Sequence, residues 1–245
     1  MAPELFFVHG MGGSPTDWLW VGEHLPNLAQ AVKLDPWAPS PAACAAGMAR
    51  DIKSRATWPW GLVGYSMGGR LALLAIETLS MMGAKLPSHL VLVSSGLGLG
   101  EETEREERKR IDADWADLVR KDPEEFWLRW YDQELFASFR ALPPGHREAW
   151  ERARNTMDIG ALSNQLRNLG PGSHGDLYPI LESLPSRGVR VLYIVGDLDK
   201  KYVKLSEKVG KVAGISVEIV PDAGHILPLE APADLAGRIQ RFVSS

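Results

Sequence analysis

The apolar positions of this chain fall into short, unbroken runs separated by longer amphipathic stretches. Leu5-Phe6-Phe7-Val8 is continuous and ends at His9-Gly10. Its length and lack of alternation predict a strand buried on both faces. Residues 15–28 read as a helix entered through Ser14, with Pro15 in its first turn. Residues 32–35 predict a second short strand, 36–41 a proline-rich loop, and 42–55 an alanine-rich helix. Residues 61–64 predict a third strand, followed by a glycine-rich turn and a helix over 67–81. Residues 89–94 predict a fourth strand. Strands alternating with helices in this way imply a parallel sheet covered on both faces, an α/β fold.

The pattern then changes. Nine of the ten residues 101–110 are charged. Residues 105–184 keep a helical spacing with few strand signals, and carry Trp115, Trp127, Trp130 and Trp150 among many arginines. Pro143-Pro144-Gly145 and Gly170-Pro171-Gly172 divide this stretch into pieces. Alternation returns with a strand over 189–195, a helix over 201–213, a strand over 217–220 and a helix over 229–243. The expected organisation is therefore a mostly parallel sheet flanked by helices, built from 1–99 and 188–245, with a helical cap inserted at 100–187.

Composition narrows the function classes. Of 245 residues, 45% are hydrophobic and 24% charged, which fits a folded globular chain. The net charge of −4 gives no general attraction to nucleic acid or to an anionic membrane. The single cysteine, Cys44, cannot form an internal disulfide and has no activating context, so it is expected to serve packing. No apolar run approaches about 18 residues, so no membrane span is expected. Met1-Ala2-Pro3-Glu4 has no basic leader character. A cytoplasmic monomer is the expectation.

The most specific chemical signal is Gly64-Tyr65-Ser66-Met67-Gly68-Gly69, a Gly-x-Ser-x-Gly sequence between a predicted strand and a predicted helix. That context is the one a nucleophile elbow requires. A serine needs a base. His225 follows the last predicted strand, within Asp222-Ala223-Gly224-His225, and Asp199 follows the preceding one, within Gly196-Asp197-Leu198-Asp199. The order Ser66, Asp199, His225 is the α/β-hydrolase order of nucleophile, acid and base. Asp197 competes for the acid role, although its place beside Gly196 favours a turn. After the first strand, His9-Gly10-Met11-Gly12-Gly13 resembles the hydrolase His-Gly turn, a resemblance that implies an oxyanion donor from the Met11 backbone, with the Met67 N–H as the second. His9 itself is expected to be structural. Arg70 lies four residues after Ser66, on the same helical face. A guanidinium there suits a substrate carboxylate, because arginine binds carboxylates with a two-pronged fork. No metal-ligand spacing or phosphate loop is present, and no cofactor is expected.

The run from Gly64 to Arg70 resembles the 2-succinyl-6-hydroxy-2,4-cyclohexadiene-1-carboxylate (SHCHC) synthase family of menaquinone biosynthesis, within the α/β-hydrolase superfamily. Three further runs share the resemblance. Glu107-Arg108-Lys109-Arg110-Ile111-Asp112-Ala113-Asp114-Trp115 is similar to the family's Glu-Arg-x-Arg-x-Asp-x-x-Trp. Trp130-Tyr131-Asp132-Gln133-Glu134-Leu135-Phe136-Ala137-Ser138 is similar to its Trp-Tyr-x-Gln-x-x-Phe-Ala-Ser. Asp199-Lys200-Lys201-Tyr202 is similar to its Asp-x-Lys-Phe/Tyr. The chain departs from the family at residues 35–40 and after His225, where the frequent second histidine is missing.

The resemblance implies an α/β-hydrolase fold and a carbon–oxygen lyase that eliminates pyruvate from an enolpyruvyl cyclohexene polycarboxylate. It implies Ser66, Asp199 and His225 as catalytic residues and Arg70, Arg108 and Arg154 as carboxylate-binding groups, with Arg152 as the alternative to Arg154. Tyr65, Trp130 and Phe136 would line the pocket. Two other readings stay open: a carboxylesterase or C–C hydrolase working through an acyl-enzyme on Ser66, and a non-catalytic binding protein on the same fold.

Overall fold

The computed structural model describes residues 3–25 and 29–245. Six strands form one sheet: β1 (Glu4–Val8), β2 (Ala29–Ala31), β3 (Trp60–Tyr65), β4 (His89–Val93), β5 (Arg190–Gly196) and β6 (Ile215–Val220). All five pairings are parallel, in the spatial order β2-β1-β3-β4-β5-β6. The central strands β1, β3 and β4 are almost wholly buried, because helices cover both faces. Their unbroken apolar runs reflect that double burial.

Helices α1 (Leu19–Gly22), α2 (Pro41–Arg55) and α3 (Met67–Met81) precede β4. Six more lie between β4 and β5: α4 (Glu102–Lys121), α5 (Pro123–Asp132), α6 (Ala137–Ala141), α7 (Pro144–Asn155), α8 (Ile159–Leu169) and α9 (Tyr178–Ser183). The chain ends with α10 (Lys200–Val209), α11 (Leu227–Glu230) and α12 (Pro232–Ser244). Apolar clusters fill each side of the sheet. One sits under α2 and α3; the other sits under α12 and the Trp18 segment. Starts are capped by side chains. Ser40 accepts from the Ala43 N–H and Asp158 from the Ala161 N–H, contacts that typically contribute about 1 kcal/mol each. Among the described residues no helix is long and apolar enough to cross a membrane.

Several expected boundaries move. The second strand is Ala29–Ala31, not 32–35. Val32 adds one ladder bond, its N–H donating to Phe7 at 2.9 Å. Val32 and Leu34 are buried as irregular chain packed into the core, which is why they look strand-like in sequence. The expected helix over 15–28 is a 3₁₀ turn (Pro15–Trp18) followed by the single turn of α1. Its last three positions lie outside the described residues. The helix expected to reach 213 stops at Val209, capped by Gly210. The final helix is broken at Ala231, ahead of Pro232, into α11 and α12. Cys44 is buried and its thiol is pushed up to about 11 by burial, in keeping with a packing role.

Buried histidines give the fold a pH signature. His174 donates to the Leu169 carbonyl at 3.2 Å. Burial, and then the Arg70 charge, hold it well below its ordinary value of 6.5. Burial also lowers His9, against the opposing pull of Asp17. Below about pH 6.5 the unfolded chain takes up protons that these folded side chains refuse, so stability falls as pH falls. Thermal melting followed from neutral pH downward should show this decline, and His174→Gln should make it shallower. A slope unchanged in that variant would rule His174 out as a cause.

Candidate active site

Ser66 occupies the sharp turn between β3 and α3 with φ 53° and ψ −113°. This left-handed conformation is costly for a residue with a Cβ and persists only where its surroundings enforce it. The neighbours explain why it is tolerated here. A Cβ on Gly64 would lie 2.5 Å from the Gly69 Cα, and one on Gly68 would lie 2.4 Å from the Val8 carbonyl oxygen. The turn closes only with hydrogens at those places. Ser95 Oγ clamps it by donating to the Ser66 carbonyl at 2.9 Å.

Ser66 Oγ–H donates to His225 Nε2 at 3.2 Å, and His225 Nδ1–H donates to Asp199 Oδ2 at 2.7 Å. Asp199 is 4% exposed and His225 2%, so the ion-pairing geometry is sheltered from water. Asp199 also caps α10 through Tyr202 N–H at 3.4 Å. Asp197 is exposed and instead accepts from Ala223 N–H at 3.3 Å, which gives it the turn position. Three aromatic rings box the imidazole: Tyr202 at 5.0 Å, Tyr65 at 5.6 Å and Phe136 at 5.9 Å between centroids. His9 is buried, with Nδ1–H donating to the Gly10 carbonyl at 2.9 Å. That is a structural arrangement, not one facing the serine.

The loop bearing His225 is held by a residue the sequence did not point to. Glu230 accepts from Gly224 N–H at 2.7 Å and from Ile226 N–H at 2.8 Å. Its only sequence signal is its spacing, four to six residues past that turn.

Above Ser66 lies a cavity of about 290 Å³, walled by the sheet ends and the inserted helices. Nine sequence-predicted residues meet there: Ser66, His225, Met11, Tyr65, Arg70, Arg108, Arg154, Trp130 and Phe136 all line it. Asp199 stands behind His225. Met67 is buried at the start of α3, where its backbone N–H precedes the helical ladder.

The cations differ in how they are compensated. Arg70 is 4% exposed, and no hydrogen bond to its guanidinium occurs among the described residues; its Nε is buried without a partner. Arg108 donates from Nε to Asp112 at 2.8 Å, and Asp112 also accepts from Gly172 N–H at 2.9 Å. Arg154, 4% exposed, donates to Asp17 at 2.8 Å and to the Trp150 carbonyl at 3.2 Å, lying 3.4 Å over the Trp150 ring. Arg152 points to solvent beside Glu148. Of the two alternatives, Arg154 is therefore the one that faces the cavity, but it arrives there already paired. Lys201 also lines the cavity, a role its place in the Asp-Lys-Lys-Tyr run did not reveal. Partial desolvation, then Arg108 and Arg70, hold its ammonium below the usual lysine range. Glu134 stands exposed at the rim.

Comparison with known proteins agrees with this geometry. An alpha/beta hydrolase family model matches residues 5–238. A Bacillus subtilis (strain 168) protein provisionally named 2-succinyl-6-hydroxy-2,4-cyclohexadiene-1-carboxylate synthase is 31% identical, over 97% of this chain and 89% of that one. The chain belongs to the SHCHC synthase family of alpha/beta hydrolases. A Salmonella agona SHCHC synthase is 29% identical over 99% of this chain and 94% of its own. Among solved structures, MenH from S. aureus superposes with a TM-score of 0.87 at 22% identity, covering 99% and 93% of the two chains. An Exiguobacterium antarcticum esterase superposes with a TM-score of 0.77 at 16% identity, covering 100% and 94%. Both likenesses concern the fold alone.

Glu230→Ala would strand two buried N–H groups beside His225. We expect a loss of about 2 kcal/mol or more in denaturant unfolding, since orphaned buried donors cost about 1–3 kcal/mol each. Unchanged stability would show that water replaces the carboxylate without loss.

Proposed function

We propose that this chain is a carbon–oxygen lyase of menaquinone biosynthesis. Its reaction converts 2-succinyl-5-enolpyruvyl-6-hydroxy-3-cyclohexene-1-carboxylate into SHCHC and pyruvate. The observation that carries the reading is Arg70, a buried guanidinium without an acceptor among the described residues, on the helix that begins at Ser66 and in the same cavity. An uncompensated buried cation is unfavourable in the empty protein. It becomes favourable when a carboxylate arrives. A substrate with three carboxylates supplies partners for Arg70, Arg108 and Lys201, and for Arg154 by sharing it with Asp17. Family membership supports the same reading.

In this mechanism His225, oriented by Asp199, takes the Ser66 proton. The serine oxygen then removes the ring hydrogen at carbon 2, α to the succinyl ketone. The electron pair forms the C2–C3 double bond, the C3–C4 double bond shifts to C4–C5, and the C5–O bond breaks. The leaving enolpyruvate takes a proton to become pyruvate. Charge that builds on the ketone oxygen falls to the backbone N–H groups of Met11 and Met67, aided by the positive end of α3. The inserted helices over 100–187 act as a cap whose Trp130 and Phe136 close over the ring, and the sheet core supplies 1–99 and 188–245. Ser66 acts as a base throughout, so no acyl-enzyme forms.

The alternative, an esterase or C–C hydrolase working through an acyl-Ser66, uses the same triad. It gives no role to a buried, unpaired Arg70. The two are separated by assaying pyruvate release from the enolpyruvyl substrate beside hydrolysis of a small neutral ester. We expect pyruvate release and little ester turnover; fast ester hydrolysis without pyruvate would overturn the lyase reading. Arg70→Ala and Arg108→Ala should each lower kcat/KM for the polycarboxylate about a hundredfold or more, the scale of a lost buried charge partner. The folded state should persist in both. A near-native rate in Arg70→Ala would remove the central support.

A further inference from the structure

Arg70 forms part of two cavities. A second one, of about 340 Å³, adjoins the first and shares with it Arg70, Pro171, Lys201 and Tyr202. Its far wall is the loop Gly96–Gly100, after β4. The guanidinium reaches toward that loop: a Cβ built on Gly96 would lie 3.9 Å from Arg70 Nη1 and 3.7 Å from Tyr202 Oη. The loop is fixed on both sides. Arg105 donates to the Leu99 carbonyl at 2.9 Å and to the Gly100 carbonyl at 2.6 Å. On the other side, the Leu99 and Leu177 N–H groups donate to His174 and Leu97 respectively. Gly98 has φ +75°, and a Cβ there would lie 1.7 Å from the Gly175 carbonyl oxygen, so the strap over 173–177 seats only on a glycine.

The charge of this cavity is mostly positive. Arg70 and Lys201 stand where the two cavities meet. Lys208 lies farther out, 4.2 Å over the Tyr178 ring. Asp176 is the one acidic residue on its lining. Arg70, buried and without an acceptor on its Nε, is thus within reach of ligands on two sides.

We propose that this second cavity is a site for a small carboxylate, through which the three-carbon keto acid leaves after elimination. The proposal rests on the lyase reading given above. The elimination creates two anions of unequal size in one cavity. The ring product remains under Trp130 and Phe136, beside the opening it entered by. The small acid is formed on the Arg70 side, and a second outlet lets it depart without waiting for the larger one. Arg70 hands its carboxylate toward Lys201, and Lys208 draws it out, with each cation replacing the last so that the anion is never left bare.

The test uses pyruvate itself and the intact protein. Saturation-transfer NMR of pyruvate with the resting enzyme should show binding. Lys208→Glu should weaken that binding by about fivefold or more, the reach of one reversed charge near the surface. Leu205→Trp, which fills the cavity from α10, should do the same and should also slow steady-state turnover relative to the first turnover. Inhibition by added pyruvate should weaken in parallel. Failure to see pyruvate binding in the native protein, or binding unchanged in both variants, would overturn the proposal. If Leu205→Trp does not fold, Lys208→Glu decides alone. Pyruvate release from the enolpyruvyl substrate is scored separately. Release with variant-insensitive binding discards the site and keeps the lyase reading. Variant-sensitive binding without release discards the lyase reading and leaves a small-carboxylate site fed by another reaction.

Discussion

A buried positive charge with no ion-pair partner among the described residues is the constraint around which this structure is arranged. Arg70 is buried on the first turns of α3, and no carboxylate hydrogen-bonds to it among the described residues. Folding would be easier with an apolar side chain there. Such a position is expected where a ligand completes the electrostatics, and proteins commonly accept instability at sites that must act on something. The surrounding ionic groups are graded around it. Arg108 and Arg154 are already paired with Asp112 and Asp17, and burial, then Arg108 and Arg70, lower the Lys201 ammonium. A polyanion entering this cavity therefore finds one cation with no ion-pair partner among the described residues, and others that keep their carboxylates and are shared with the ligand.

The same helix carries the reactive serine, so charge recognition and chemistry are coupled by covalent geometry. Four residues separate Ser66 from Arg70, about one helical turn. In the proposed reaction a carboxylate on Arg70 fixes the ring relative to the serine oxygen within that spacing. The elbow turn, the Ser95 clamp and the Glu230 bracket around His225 supply rigidity to the other side of the contact. A shared fold with esterases is then no paradox. On the proposed reading the sheet and elbow make an activated serine, while the inserted helices decide whether it meets an acyl carbon or an acidic hydrogen.

Much of this was legible in the sequence, for local reasons. The elbow depends on contiguous glycines, and the acid and base sit just after two apolar runs, so spacing alone placed Ser66, Asp199 and His225. Arg70 followed from helical periodicity. The strand at Ala29–Ala31 was not legible, because two alanines and a glutamine carry no β signal, whereas the nearby Val32 and Leu34 do. Groups whose meaning lies in tertiary pairing were also hidden. Asp17 and Arg154 are far apart in the chain, and nothing local says that one neutralises the other. Lys201 gains its role only when α10 is brought to the same cavity as Arg70 and Arg108, and Glu230, though local to the His225 turn, carries no motif that marks it as a bracket. The ambiguity between Arg152 and Arg154 was of this kind, since both belong to one helix and only packing decides which face turns inward.

In the proposed reaction Ser66 removes a hydrogen and does not attack carbon. The most direct measurement is single-turnover rapid quench with the enolpyruvyl substrate carrying deuterium at ring carbon 2. Pyruvate should appear more slowly from the deuterated substrate than from the protiated one, with Ser66 unmodified at every quench time. Equal rates, accompanied by a substrate fragment bonded to Ser66, would contradict it.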